Sequence, residues 1–168
     1  MDPREGVKEV KRHLGRVREI QRAVREARQE AEGRSHREVG MPGGTRLSDS
    51  TSSQALKRME PLHYVLLSDG TMIADPEVWI EFYQATVHFF SGTEGGQILQ
   101  LRLVEGRSVE WSLIEIGCLC RKTLFSIQDQ VVHFALGVAQ GLGVLEKQKE
   151  LGNRHKKVDP KTKLKKIS

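Results

Sequence analysis

Between Arg121 and Gln130 the run RKTLFSIQDQ gathers cationic, hydroxyl and amide side chains: Arg121, Lys122, Thr123, Ser126, Gln128 and Gln130. On a helix they span about three turns. Arginine or lysine can bond guanine O6 and N7, and glutamine can pair with adenine. Ser126 and Gln130 stand four residues apart and share one face, while Leu124, Ile127, Val131 and Phe134 or Ala135 fall on the inward positions. The chemistry on offer is recognition, not bond making. Cys118 and Cys120 lie too close together for a paired zinc ligand, which takes two to four intervening residues and a second pair, and His133 is their only nearby companion. Small side chains around a turn are the simpler reading of the two thiols. The six histidines are scattered, so neither a metal, a cofactor nor a catalytic constellation is expected, and the chain does not read as an enzyme.

These side chains need a scaffold, and the segment 97–136 supplies one. Ile98, Leu99, Leu101, Leu103 and Val104 form an apolar stripe that stops at Gly106. Ser108 can cap a second helix, because its hydroxyl accepts a bond from an orphan backbone N–H. Val109, Leu113, Ile114 and Ile116 fill that helix, and the chain breaks at Gly117-Cys118-Leu119. Cys120 stands where a cap is required, and Arg121-Lys122-Thr123 opens a third helix. A short helix, a tight turn and a longer helix with cationic and polar residues at its start follow the plan of a helix-turn-helix. The third helix then lies in the major groove of double-stranded DNA. Arg102 and Arg107 are expected to touch phosphate.

The pattern EGRS…W…I…L-C-R-K-T-L-x-x-I resembles the helix-turn-helix of sigma-70 region 4, and more closely that of phage late-gene transcription activators of the RinA/ArpU kind. Those typically read Leu-Gly-Val-Ser-Arg-Arg-Thr where this chain has Gly117-Cys118-Leu119-Cys120-Arg121-Lys122-Thr123. Gly117 thus replaces a core leucine, Cys118 the turn glycine and Cys120 the capping serine, which implies a turn that is looser or shifted by one residue. The likeness covers about a quarter of the chain. It implies a regulator of phage or prophage origin, acting in the cytoplasm of a bacterial host, with RNA polymerase as a candidate partner.

Two other classes stand beside that one. Gly95-Gly96-Gln97 is the tripeptide that peptidyl-tRNA hydrolysing release factors use, although here Gln97 leads straight into the apolar run ILQLRL. A phage DNA-packaging small terminase subunit also uses a helix-turn-helix, but would carry an oligomerisation core after its reader, where this chain turns charged.

Composition agrees with a nucleic-acid partner. The 168 residues carry 27 Lys and Arg against 22 Asp and Glu, a net charge of +5 that suits a polyanion. With 38% apolar and 5% aromatic residues, the chain predicts a modest core under long solvated helices. No apolar run approaches the ~20 residues of a membrane span. The opening MDPREGVKEVKRH has no apolar segment of a secretory signal.

Along the chain, Val7, Val10, Leu14, Val17, Gln21, Val24, Arg28 and Ala31 alternate by threes and fours, a short heptad seam over residues 1–32. It serves either as a dimerisation helix or as a helix packed on its own domain. Residues 33–53 lose periodicity and read as a linker, with another turn or two of helix from Gln54 to Met59. The reader domain is expected over 54–150. In it, Tyr64–Leu67 and Thr71–Ile73 flank Asp69-Gly70, a hairpin signal in which both turn residues take positive φ. That hairpin should lean on the helix that follows, which Asp75 caps and Pro76 opens. Val78, Trp79, Phe82, Tyr83, Thr86 and Phe90 recur at helical spacing and read as core. Gly137, Gly141 and Gly143 mark close packing or fraying. The basic tail 151–168, with Lys156 and Lys157, reads as disordered and attracted to phosphate. The fold expected is mostly α: a long N-terminal helix, a small hairpin, and a helical core ending in a helix-turn-helix.

Overall fold

The computed structural model of the chain describes residues 2–37, 60–117 and 120–156. The fold is mostly helical with one small antiparallel hairpin. The expected short helix at Gln54–Met59, most of the expected linker, and the tail beyond Lys156 lie outside the described residues.

Helix α1 (Pro3–Arg37) runs past the boundary set at residue 32. Asp2 caps it, its carboxylate accepting the Arg4 N–H at 3.0 Å, and proline takes the first helical position, where its missing N–H costs nothing. The heptad stripe is buried inside this chain: Val10 and Leu14 are 0% exposed, Val17 2% and Ile20 1%. Ile20, not Gln21, takes the inward place, because a straight helix repeats every 3.6 residues and drifts off a 3.5-residue seam. Of the two readings of the seam, this arrangement is the intramolecular one.

The hairpin pairs β1 (Tyr64–Leu66) with β2 (Met72–Ala74), with Val65 opposite Ile73. Its turn is one residue longer than Asp69-Gly70 suggests. Leu67 and Thr71 close the loop, and among its residues only Gly70 has positive φ, at 80°. That is the three-residue type, in which glycine alone takes the left-handed place. The hairpin leans chiefly on the first and last helices. Arg16 of α1 reaches Asp69 at 2.8 Å and Thr71 Oγ1 at 3.1 Å, and Glu19 accepts the Ser68 N–H at 3.0 Å. These partners hold the Asp69 and Glu19 carboxyls below their ordinary range, Asp69 chiefly through the Arg16 guanidinium and Glu19 chiefly through the Ser68 hydroxyl.

Helix α2 (Pro76–Phe89) begins at Asp75, but the aspartate does not cap it. Asp75 sits at φ 43°, ψ 58° with no side-chain bond to the helix. Its carboxylate instead holds Lys147 at 2.7 Å. The face read as core is core: Trp79 and Phe82 are each 1% exposed and Thr86 is 0%. His13 of α1 lies flat on Trp79, with ring centroids 3.7 Å apart.

Helix α3 (Glu94–Ile98) continues directly into a π-helical segment (Leu99–Val104), a widened turn that the apolar stripe alone does not reveal. Helix α4 (Val109–Ile116) and helix α5 (Arg121–Gly141) follow, then a turn at Leu142-Gly143 and helix α6 (Val144–Lys156). The tail read as disordered from residue 151 is helical as far as Lys156. Gln148 of α6 is 8% exposed and completes the edge of β2, accepting the Ala74 N–H and donating to the Met72 carbonyl, both at 2.9 Å. The core thus sits where α1, α2, the hairpin and the middle of α5 meet. Each large side chain there adds about 1.5–3 kcal/mol by leaving water. Among the described residues no helix is long and apolar enough to cross a membrane.

Candidate nucleic-acid interface

Four residues, 117–120, separate α4 from α5. Gly117 ends α4 with φ 79°, a conformation glycine adopts without strain. The Ser108 hydroxyl caps α4, accepting the Trp111 N–H at 3.1 Å. Cys120 caps α5: its sulfur accepts the Thr123 N–H at 3.5 Å and lies 3.1 Å from Thr123 Oγ1. Those bonds, the Thr123 hydroxyl first, pull its thiol below the ordinary range. Cys120 is exposed, so it caps from the surface and not from a buried turn. Cys118 lies outside the described residues.

The inward face of α5 is the one the sequence sets out. Leu124, Val131 and Ala135 are 0% exposed, and Ile127 packs against the core. On the outward face, Arg121, Lys122, Thr123, Ser126 and Gln130 are all exposed. Arg121 already has a partner, Glu110 of α4, at 2.6 Å. In the free protein that pair joins the two helices across the turn and partly neutralises the arginine.

Gln128 is a correction. It is 9% exposed, and its Oε1 has no partner among the described residues. The reason is geometric: Gln128 is one turn after Leu124 and lies on the same stripe, so it points into the protein and not toward a groove. Ile114 is a second correction. It is 80% exposed, while Ser112, which the apolar count ignored, is the residue α4 buries. The Ser112 hydroxyl donates to the Ser108 carbonyl at 2.8 Å, which lets so small a polar group face inward without an orphan donor.

The two expected phosphate contacts differ. Arg107 is exposed, pairs with Glu105 at 3.2 Å, and lies over the Trp111 ring at 4.6 Å. Arg102 sits in the π-helical segment, half-buried, with one guanidinium N–H donated to the Arg107 carbonyl. Arg102 therefore braces the loop before α4, and Arg107 is the one that can turn outward. Arg18 of α1, which sequence reasoning missed, joins them by bonding Glu105 at 3.0 Å. No local motif could have found it, since 87 residues separate the two. The side chains of Lys156 and Lys157 lie outside the described residues.

The Gly95-Gly96-Gln97 tripeptide forms the body of α3. A Cβ at Gly96 would collide with the Phe90 carbonyl, and one at Gly95 with the Phe90 ring. Both glycines are thus required by packing alone. Gln97 is exposed beside an open groove with Thr93, Gln100 and Glu115. No group of three His, Cys, Asp or Glu among the described residues could hold a metal ion.

The chain matches no family model, no characterised protein and no solved structure.

Proposed function

We propose that the chain is a double-stranded-DNA-binding transcriptional regulator that reads sequence with the N-terminal half of α5. The observation that carries this reading is the α4–turn–α5 unit. It is an eight-residue helix and a long helix, each capped by its own side chain, with Arg121, Lys122, Thr123, Ser126 and Gln130 exposed on one side and Leu124 and Val131 anchored on the other. A rigid inward face fixes the direction in which the outward side chains project, and a net charge of +5 favours approach to phosphate. Binding exchanges the Arg121–Glu110 pair for a pair with the DNA. Arg107 and Arg18, beside the start of α4, are placed to meet the backbone.

The likeness to late-gene activators of the RinA/ArpU kind extends the proposal to a phage or prophage regulator in a bacterial cytoplasm, with RNA polymerase as a partner and two or more copies on the DNA. Because α1 buries its seam inside its own chain, a contact between copies would use another surface.

The test is an electrophoretic shift with duplexes selected by the protein from a random-sequence pool, run at two salt concentrations. Specific complexes should form, and Arg121→Ala should weaken them by about 1–3 kcal/mol while leaving non-specific binding and the melting curve nearly unchanged. Equal affinity of wild type for selected and unselected duplexes would overturn the proposal.

A further inference from the structure

Helix α5 carries an outward aromatic ring toward one edge of its polar face. Phe125 is 44% exposed. It lies four residues after Arg121 and four before Asp129, so the three form one line along the helix, with Lys122, Ser126 and Gln130 beside them, all exposed. The core takes the adjoining side, about 100° round the helix, through Leu124 and Val131. Among the described residues Phe125 also joins none of the ring stacks formed by Phe89, Phe90 and Phe134. The fold makes little use of this ring.

From this arrangement, and resting on the reading of α5 as the DNA reader, we infer that Phe125 packs against the C5-methyl group of a thymine and selects a T·A pair at that position. The major-groove edge of thymine offers one acceptor and one methyl, and only an apolar side chain recognises the methyl. The hydrogen-bonding neighbours Arg121, Ser126 and Gln130 can discriminate the flanking pairs, but they cannot tell thymine from a pyrimidine that keeps O4 and lacks the methyl. A protein–protein anchor is the other use of an exposed phenylalanine. Such anchors sit at the centre of an apolar, charge-poor patch. Phe125 is instead ringed by a guanidinium, an ammonium, a carboxylate and a hydroxyl, at a helix start whose exposed cations, Lys122 and the Glu110-paired Arg121, attract a polyanion.

The experiment uses the full chain and the duplexes it selects from the random pool, remade with deoxyuridine at each thymine in turn. This removes one methyl and leaves every base-pairing group in place. Burying one methyl group corresponds to about a fourfold change in affinity. One or two positions should therefore weaken about fourfold for wild type. Phe125→Ala should bind the thymine duplex more weakly and show no further loss with deoxyuridine. Phe125→Leu, which keeps an apolar contact, should retain part of the effect. Wild type indifferent to deoxyuridine at every position, or Phe125→Ala still penalised by it, would overturn the inference while leaving the regulator reading intact. Tighter binding to the single strand than to the duplex would also overturn it, since the ring would then be stacking on a splayed base. Failure to select any sequence would remove the regulator reading itself, and this inference with it.

Discussion

The apolar faces of α1 and α4 are built differently. Along α1, Val10, Leu14, Val17 and Ile20 are all at most 2% exposed. Along α4, Trp111 is 39% exposed and Ile114 80%, and the residue the helix buries is Ser112. One face stabilises the fold, and the other is carried by it. The reader is held by caps, by the anchoring residues of α5 and by the Glu110–Arg121 pair, so it can be altered without unfolding the body. Substitutions should therefore separate into those that break the fold and those that change what the surface does.

The largest expected effect is on the α1 side. Leu14→Ala should cost about 2–5 kcal/mol, the range for emptying a fully buried leucine site, whereas Ile114→Ala should change stability by less than about 0.5 kcal/mol. Chemical denaturation of both variants checks the pair. If Leu14→Ala folds as well as wild type but loses self-association, α1 serves a partner copy and the contrast collapses.

Acid should strike the same side. His13 is 2% exposed, donates its Nδ1–H to the Glu9 carbonyl at 2.9 Å, and its pKa is lowered from 6.5 to about 4, first by burial and then, more weakly, by the Arg12 and Arg16 charges. In the unfolded chain the imidazole takes up its proton near 6.5. Its neutral form in the fold therefore contributes fully above that pH and loses ground as the pH falls from 6.5 to about 4, a change of about 3 kcal/mol. His13→Phe, which keeps a ring on Trp79, should flatten the dependence between pH 7 and pH 5. The Asp69 and Glu19 carboxyls, held low by Arg16 and Ser68, act in a more acidic window. A wild-type stability that is level from pH 7 to pH 5 would mean that the histidine charges inside the fold.

What the sequence disclosed, and what it hid, follows the same division. Periodicity found the core faces of α2 and α5, because burial of Trp79, Phe82, Leu124 and Val131 is set by helix geometry and apolarity together. It could not say what the α1 stripe packs against, since a seam looks alike whether its partner is another copy or the same chain. The hairpin was visible in Asp69-Gly70, but its loop length was not, because closure depends on Leu67 and Thr71, outside the dipeptide. Asp75 has the chemistry of a cap and sits at the capping position, yet a lysine 72 residues later holds its carboxylate. Gln128 and Ile114 depart from the reading for one reason, which also left Ser112 unread: polarity is a poor proxy for direction, and on α4 and α5 the helical phase decides instead. Phe125 carries no role in the sequence pattern, although the same phase turns it outward.

Gln128 turns that departure into a measurement. Its buried Oε1 has no partner among the described residues, which carries a desolvation cost of about 1–3 kcal/mol. Gln128→Met, similar in volume and apolar, should be neutral or stabilising by about 1 kcal/mol, and should leave the selected DNA sequence unchanged. A shift in base preference at one position would place Gln128 in the groove after all and redraw the boundary between the two faces.

The smallest effect tests whether α5 is one rigid element between those faces. Gly137 lies in its last quarter, exposed, and a Cβ there would meet nothing within 4 Å. It therefore does not serve close packing, unlike Gly96, where the Phe90 carbonyl fills the space a side chain would need. A solvent-facing glycine inside a helix costs up to about 1 kcal/mol relative to alanine, because more backbone freedom is lost on folding. Gly137→Ala should thus raise stability by about that amount, read by chemical denaturation. If α5 moves as a single rod, the variant's affinity for its selected duplex should equal that of wild type. A more stable protein that binds more weakly would show that the helix bends at Gly137 when the reader engages, tying the surface to the core that carries it.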